Sequence, residues 1–240
     1  MILDILNRKK EYAKLITACQ KFLDTKEFAH AASFRREIAD ILRKSELKRI
    51  ALLEEKSEFK EAAERYIEYT KSYGTQDETL FEKSLYNAAV NFNKAGLLLP
   101  AVETQEHFLR RFPKSQFREN MLLQVAKTYE TLALFDKSGK YFEEFAVQYP
   151  KHPQSKNALR LAGLYLSSSG SIERAENVFL RFIKLYPADL KLVERDLLGL
   201  YEASNAVDKQ IQYYLRARAM RGITVSEYLF YTLAAAELSA

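Results

Sequence analysis

Few residues of this chain have the types and spacing that enzyme chemistry requires. Its histidines lie far apart and form no metal-binding pattern such as HExxH; they are His30, His107 and His152. The single cysteine, Cys19, follows Ile-Thr-Ala, a setting typical of a small residue buried in a helix. No glycine-rich phosphate loop and no G-x-S-x-G nucleophile turn occurs in the sequence. We therefore expect no catalytic residue, no metal site and no cofactor.

Two further polar groups have structural explanations. The serine-rich residues 167–171 fall between two helical segments, where turn chemistry accounts for them. Two basic clusters lie near the ends of predicted helices, where cations interact favourably with the helix dipole. They are Arg110 with Arg111, and Arg216 with Arg218 and Arg221.

The composition favours an ordered, mostly helical protein. Only 7 of the 240 residues are Gly and 5 are Pro, whereas 48% are hydrophobic. An all-β chain needs more turn residues than this, and a disordered chain has fewer apolar ones. The net charge is +5, but acidic and basic side chains interleave along the chain. A nucleic-acid-binding protein usually concentrates its positive charge, so that function is a minor alternative.

The termini and apolar runs bear on localisation. No apolar run approaches the roughly 18 residues of a membrane span, and MILDILNRKKEY is no secretory signal. We expect a cytoplasmic protein unless the chain is a trimmed form of a longer precursor. The chain stops soon after the start of a final helical segment at 225–240, which is either a capping helix or the first helix of a further repeat.

An internal repeat organises the sequence. Pro113, Pro150 and Pro187 are spaced 37 residues apart, and an aromatic residue precedes each of them. Further positions recur at the same interval. They include the phenylalanines 108, 145 and 182, the leucines 85, 122 and 159, and the small residues Ala89, Ala126 and Gly163.

Each copy of the repeat is predicted to be an antiparallel pair of helices. Leu122, Val125, Ala126 and Tyr129 follow the i, i+3, i+4, i+7 spacing of an amphipathic helix. The loop between the two helices carries glycine in two copies, Gly96 and Gly170, where a left-handed backbone would reverse the chain. A single pair cannot bury its apolar stripe, so neighbouring pairs must stack on one another.

These positions resemble the tetratricopeptide repeat (TPR), in which L-G-x-x-Y, A-x-x-x-F and P follow in order. The resemblance implies an all-α, right-handed α-solenoid of about six helix hairpins and a terminal helix, forming one domain over residues 1–240. The predicted boundaries are weak repeats 10–44 and 45–74, strong repeats 82–113, 119–150 and 156–187, a weak repeat 190–222, and the last helix 225–240. Gln105, Ser138 and Leu166 depart from the family pattern.

A narrower likeness comes from the long linkers after each proline. They are similar to linkers in bacterial TPR proteins of the cell envelope, such as outer-membrane assembly lipoproteins and periplasmic Tol–Pal coordinators. This likeness implies a periplasmic or envelope location if a longer precursor was trimmed.

The TPR resemblance also implies a function and a site. Such arrays bind a peptide or helix of another protein in a concave groove lined by the first helix of each repeat. The matching positions are Lys83, Tyr86, Val90 and Lys94; Asn120, Leu123, Lys127 and Glu130; and Asn157, Arg160, Leu164 and Ser168. The Lys–Asn pair that clamps chaperone carboxylates in some members is absent from these copies. We therefore expect a non-enzymatic interaction scaffold or adaptor of unknown oligomeric state.

Another alternative from the sequence is the helical accessory region of a larger enzyme or assembly. The same positions would then belong to one part of a longer protein.

Overall fold

The computed structural model describes residues 2–25, 31–74 and 77–213. These residues are predominantly helical, which confirms the all-α prediction. The helices are α1 (Ile2–Arg8), α2 (Tyr12–Asp24), α3 (Ala32–Glu55), α4 (Phe59–Tyr73), α5 (Glu78–Lys94), α6 (Leu98–Arg111), α7 (Arg118–Thr131), α8 (Phe135–Gln148), α9 (Ser155–Ser168), α10 (Ile172–Leu185) and α11 (Lys191–Ala203). A short 3-10 helix at Pro187–Asp189 precedes α11, and residues 207–213 are again helical.

The chain divides into two compact units, Met1–Met121 and Leu122–Ala240. Within the first unit, α1 to α6 each pack against the next helix along the chain. In the second unit, α9 packs against α8, α10 and α11, and α10 packs against α11. Packing between sequence neighbours is the contact pattern of a helical repeat, as expected from the sequence.

Every hairpin closes with the same backbone turn. One residue after the first helix has a left-handed backbone, with φ between +53° and +79°; these residues are Lys10, Ser57, Gly96, Ala133, Gly170 and Asn205. In the third of the strong turns, the Ser171 N–H donates to the Leu166 carbonyl at 2.9 Å and the Gly170 N–H to the Ser167 carbonyl at 3.0 Å. This is the Schellman motif, which satisfies carbonyls left open at a helix end. The predicted role of Gly96 and Gly170 is confirmed.

The recurring aromatic–proline pairs end the second helix of each strong repeat. The aromatic residue takes an extended conformation, with ψ near +60°, because the proline that follows excludes the helical one. Its ring packs on the aromatic residue four positions earlier, as in Phe182–Tyr186 with centroids 5.1 Å apart. The earlier residues, Phe108, Phe145 and Phe182, are completely buried.

The small residues inside the hairpins permit close helix packing. A Cβ atom added to Gly163 on α9 would lie 2.4 Å from the Phe179 ring of α10. One added to Gly139 on α8 would lie 2.8 Å from Leu166 of α9. Both glycines therefore have a packing reason within the second unit.

The predicted boundaries of the strong repeats agree with the helices, but the first weak repeat was misplaced. Residues 10–44 do not form a hairpin, because α3 runs without a break from Ala32 to Glu55 and crosses the predicted boundary at 44/45. No Gly or Pro interrupts this stretch, so nothing in it favours a turn. The first hairpin is instead α1 with α2, and the second turns at Ser57.

The end of the last weak repeat and the predicted helix 225–240 lie outside the described residues. His30 and the cluster of Arg216, Arg218 and Arg221 do so as well.

Candidate partner-binding face

The clearest candidate face lies on α9 in the second unit. Asn157 and Ser168 are exposed, and Leu164 between them is half-buried. The opposite side of the helix is closed, since Leu159 and Leu166 are at most 1% exposed. An aliphatic side chain thus remains accessible on a helix whose other apolar residues are packed.

Two of the predicted groove residues are engaged within the second unit. The Arg160 Nε lies 3.0 Å from Asp196 Oδ2 of α11. The Tyr165 hydroxyl donates to Glu130 Oε1 of α7 at 2.6 Å. Burial and this bond raise the pKa of Tyr165 to about 12. Arg160 and Glu130 therefore hold successive first helices together rather than standing free for a partner.

Leu123 does not have the exposure expected of a groove residue. Its side chain is only 8% exposed, so it belongs to the core. The neighbouring groove position on α7, Lys127, is exposed. A polar substitution at Leu123 would act first on stability, because it would bury a polar group.

In the first unit, the predicted positions differ in their accessibility. Lys83, Lys94 and Asn120 are exposed, and Val90 is half-buried. Tyr86 is occupied by ring contacts, stacking on Phe117 at 4.6 Å and meeting Phe108 edge-on at 5.9 Å. The Lys94 ammonium lies 5.2 Å from the centre of the Phe59 ring.

A polar contact equivalent to Tyr165–Glu130 occurs in the first unit. Asn91 Nδ2 of α5 donates to Glu54 Oε1 of α3 at 2.6 Å. Glu54 and Glu130 both lie three residues before the left-handed turn of their own repeat, and Asn91 and Tyr165 lie five before that of another. The Tyr66 hydroxyl of α4 also donates to Glu54, at 3.4 Å. The same two positions thus connect first helices in both units.

The structure adds a helix that the sequence prediction left out of the groove. Counted from the left-handed Asn205, the positions on α11 that correspond to Asn157, Arg160 and Leu164 are Leu192, Arg195 and Gly199. Leu192 is 47% exposed, and Arg195 and Gly199 are exposed too. The repeat shortens from 37 to 35 residues here, which hid these positions from a search at fixed period. The turn at Ser204-Asn205 is the signal that reveals them.

The residues with chemical potential have structural surroundings. Cys19 on α2 is fully buried, and burial raises the pKa of its thiol. The pKa of His107 is lowered by burial and by Arg110 and Arg111. His152 Nδ1 accepts a hydrogen bond from the Gln154 N–H at 3.1 Å. No group of three or more His, Cys, Asp or Glu side chains in residues 2–25, 31–74 and 77–213 is arranged to hold a metal ion.

The remaining polar groups lie where the sequence placed them. Arg110 pairs with Glu106 at 3.6 Å, and Arg111 pairs with Glu78 at 3.0 Å. Ser168 and Ser169 donate to backbone carbonyls of α9 as the chain enters the turn at Gly170. In the part of the chain that the structure describes, no helix is both long and apolar enough to cross a membrane.

Comparison with solved structures finds helical repeat proteins. BtubC (BKLC) from P. vanneervenii is 17% identical, with a TM-score of 0.43 and coverage of 88% of this chain and 91% of that one. A putative kinesin light chain from Podosopora anserina with nearly identical TPR-like repeats is 14% identical, with a TM-score of 0.44 and coverage of 80% and 93%. A variant of the latter is 13% identical, with a TM-score of 0.44 and coverage of 82% and 94%. No protein-family model and no curated protein sequence matches the chain.

Proposed function

We propose that this protein is a non-enzymatic scaffold that binds a peptide or helix of another protein on the first helices of its repeats. The accessible Leu164 on α9, flanked by the exposed Asn157 and Ser168, carries the proposal. A half-buried aliphatic side chain among polar ones suits the anchor residue of a bound peptide or helix. The helical hairpins supply the rigid support that such a face needs.

The internal contacts of the second unit strengthen this proposal. Arg160–Asp196 and Tyr165–Glu130 fix α7, α9 and α11 relative to one another before any partner binds. A pre-organised face loses little conformational entropy on binding. The partner would therefore meet a surface whose side-chain positions are already set.

Substitution of Leu164 by Glu tests the proposal. We expect Leu164→Glu to reduce partner capture at least tenfold, because a charge replaces the aliphatic anchor. Capture is measured by chemical cross-linking to the bait in cell extract, followed by mass spectrometry and quantitative pull-down of the identified protein.

The matched control is Leu180→Glu. Leu180 is 37% exposed on α10, a second helix, and the same leucine-to-glutamate change there should leave capture intact. Both variants should keep the wild-type circular dichroism melt. Undiminished capture by Leu164→Glu would refute the assignment of this face.

A further inference from the structure

Gly199 differs from the other described glycines in having no packing or backbone reason. Gly139 and Gly163 face close neighbours, Gly96 and Gly170 have positive φ, and an added Cβ at Gly74 would meet a carbonyl. A Cβ at Gly199 would meet nothing within 4 Å. Glycine is nevertheless the poorest residue but proline for the interior of an α-helix, and Gly199 lies well inside α11.

The surroundings of Gly199 form a stripe on one face of α11. Leu192, Arg195 and Gly199 are spaced at i, i+3 and i+7, which places them on the same side of a helix. They also occupy the register of the α9 face, as described above. The stripe thus combines an exposed aliphatic side chain, a cation and a position with no side chain.

The charges on α11 are unbalanced once internal contacts are considered. Its three carboxylates are engaged within the second unit: Glu194 accepts from Tyr213 at 3.3 Å, Asp196 pairs with Arg160 at 3.0 Å, and Glu202 accepts from Gln210 at 3.3 Å. Its exposed cations, Lys191 and Arg195, have no carboxylate within 4 Å in the described part of the chain. The free charge on this helix is positive and favours an acidic partner.

We infer that the stripe Leu192–Arg195–Gly199 is the docking site for an acidic α-helix of the partner protein. Gly199 lets the backbone of the incoming helix approach closely, Leu192 packs on an apolar residue of it, and Arg195 binds one of its carboxylates. This inference rests on the proposed function and adds the class of partner. The absence of a side chain at Gly199 then has its reason in the complex.

A pair of peptides provides the probe. One is a fluorescein-labelled, hydrocarbon-stapled alanine helix with leucine and glutamate on one face, and the other has lysine in place of each glutamate. Fluorescence anisotropy should show that the full chain binds the glutamate peptide at least tenfold more tightly than the lysine peptide. Equal affinities, or no saturable binding of the glutamate peptide, would overturn the inference.

Three variants locate the binding. Gly199→Leu should weaken the glutamate peptide at least tenfold, and Arg195→Glu should reverse the preference between the two peptides. Leu180→Glu should change neither affinity. Unchanged binding by Gly199→Leu and Arg195→Glu would place the peptide elsewhere and overturn the inference.

Failure here differs from failure of the proposed function. If Leu164→Glu abolishes partner capture while the peptides fail to bind, the α9 face stands and the α11 site is wrong. If Leu164→Glu has no effect on capture, the proposed function itself fails. Gly199→Ala adds a check on the premise, because it should raise the urea midpoint when no partner is present.

Discussion

At the scale of single residues, the left-handed turn position is the most informative feature of the chain. Glycine occupies it in two of the strong repeats, whereas Ala133 occupies it in the middle one at φ +55°. An L-residue with a side chain but no local hydrogen-bonding group is strained in this conformation, by roughly 1–2 kcal/mol. The turn between α7 and α8 is therefore the least favourable of the three.

Exchanging the residues at two of these turns gives a direct prediction. Ala133→Gly should raise the free energy of unfolding by about 0.5–1 kcal/mol, and Gly170→Ala should lower it by about 1 kcal/mol. Nothing lies within 4 Å of an added Cβ at Gly170, so only backbone strain changes there. Urea unfolding followed by circular dichroism measures both effects, and changes of the same sign would contradict the argument.

The sequence predicts such positions only in part. Gly96 and Gly170 are recognisable because glycine in a turn between helical segments indicates a left-handed residue. Ser57 and Ala133 carry no such signal, and their conformation follows from the packing of the helices on either side. Leu123 shows the same limit, since its periodicity fits a groove position while its side chain is buried.

At the scale of helices, buried tyrosine–glutamate contacts connect elements that are distant in sequence. Tyr165 on α9 donates to Glu130 on α7, and Tyr66 on α4 donates to Glu54 on α3. The pKa of each tyrosine is raised to about 12, chiefly by burial. In the unfolded chain a tyrosine titrates near pH 10.

These contacts predict a loss of stability in alkali. Because the folded pKa of about 12 lies above the unfolded value, the stabilisation is complete below pH 10 and is lost as the pH rises towards 12. Tyr165→Phe should therefore flatten the fall in the urea midpoint between pH 10 and 12. Tyr149→Phe, a change of the same kind outside the Glu130 contact, serves as the control. An unchanged pH profile in Tyr165→Phe would show that this contact does not govern the alkaline transition.

Helix lengths were predicted less well than helix positions. The strong repeats carry proline at every end, so their limits are readable from the sequence. The junction near residue 44 has neither Gly nor Pro, and α3 therefore continues through it. The hairpin that precedes it is consequently α1 with α2.

At the scale of the whole molecule, the positive net charge of +5 does not form a nucleic-acid surface by its magnitude alone. In the second unit several basic side chains are paired with carboxylates, as in Lys156–Asp189, Arg174–Glu143 and Lys209–Glu176. Pairs of this kind cancel the long-range attraction that steers a protein to phosphates. The pI therefore says more about solubility than about a partner.

We accordingly expect no complex with nucleic acid. A labelled 30-nucleotide single strand and a duplex of the same length should show no mobility shift at low salt, even with protein at about 10 μM, within the range of ordinary non-specific affinities. The isolated stapled peptide with glutamates, used at the same ionic strength, should bind. A salt-sensitive shift of either nucleic acid would favour the rival function.

The common turn has a consequence for lengthening the protein. Since Ala133 and Gly170 occupy equivalent places and each turn is closed by its own two backbone hydrogen bonds, a tandem duplication of residues 134–170 would join Gly170 to Leu134 at a native-like seam. The inserted copy would bring its own α8-to-α9 packing surface with it. The chain therefore contains a cassette of 37 residues from which longer arrays can be engineered without designing a new linker.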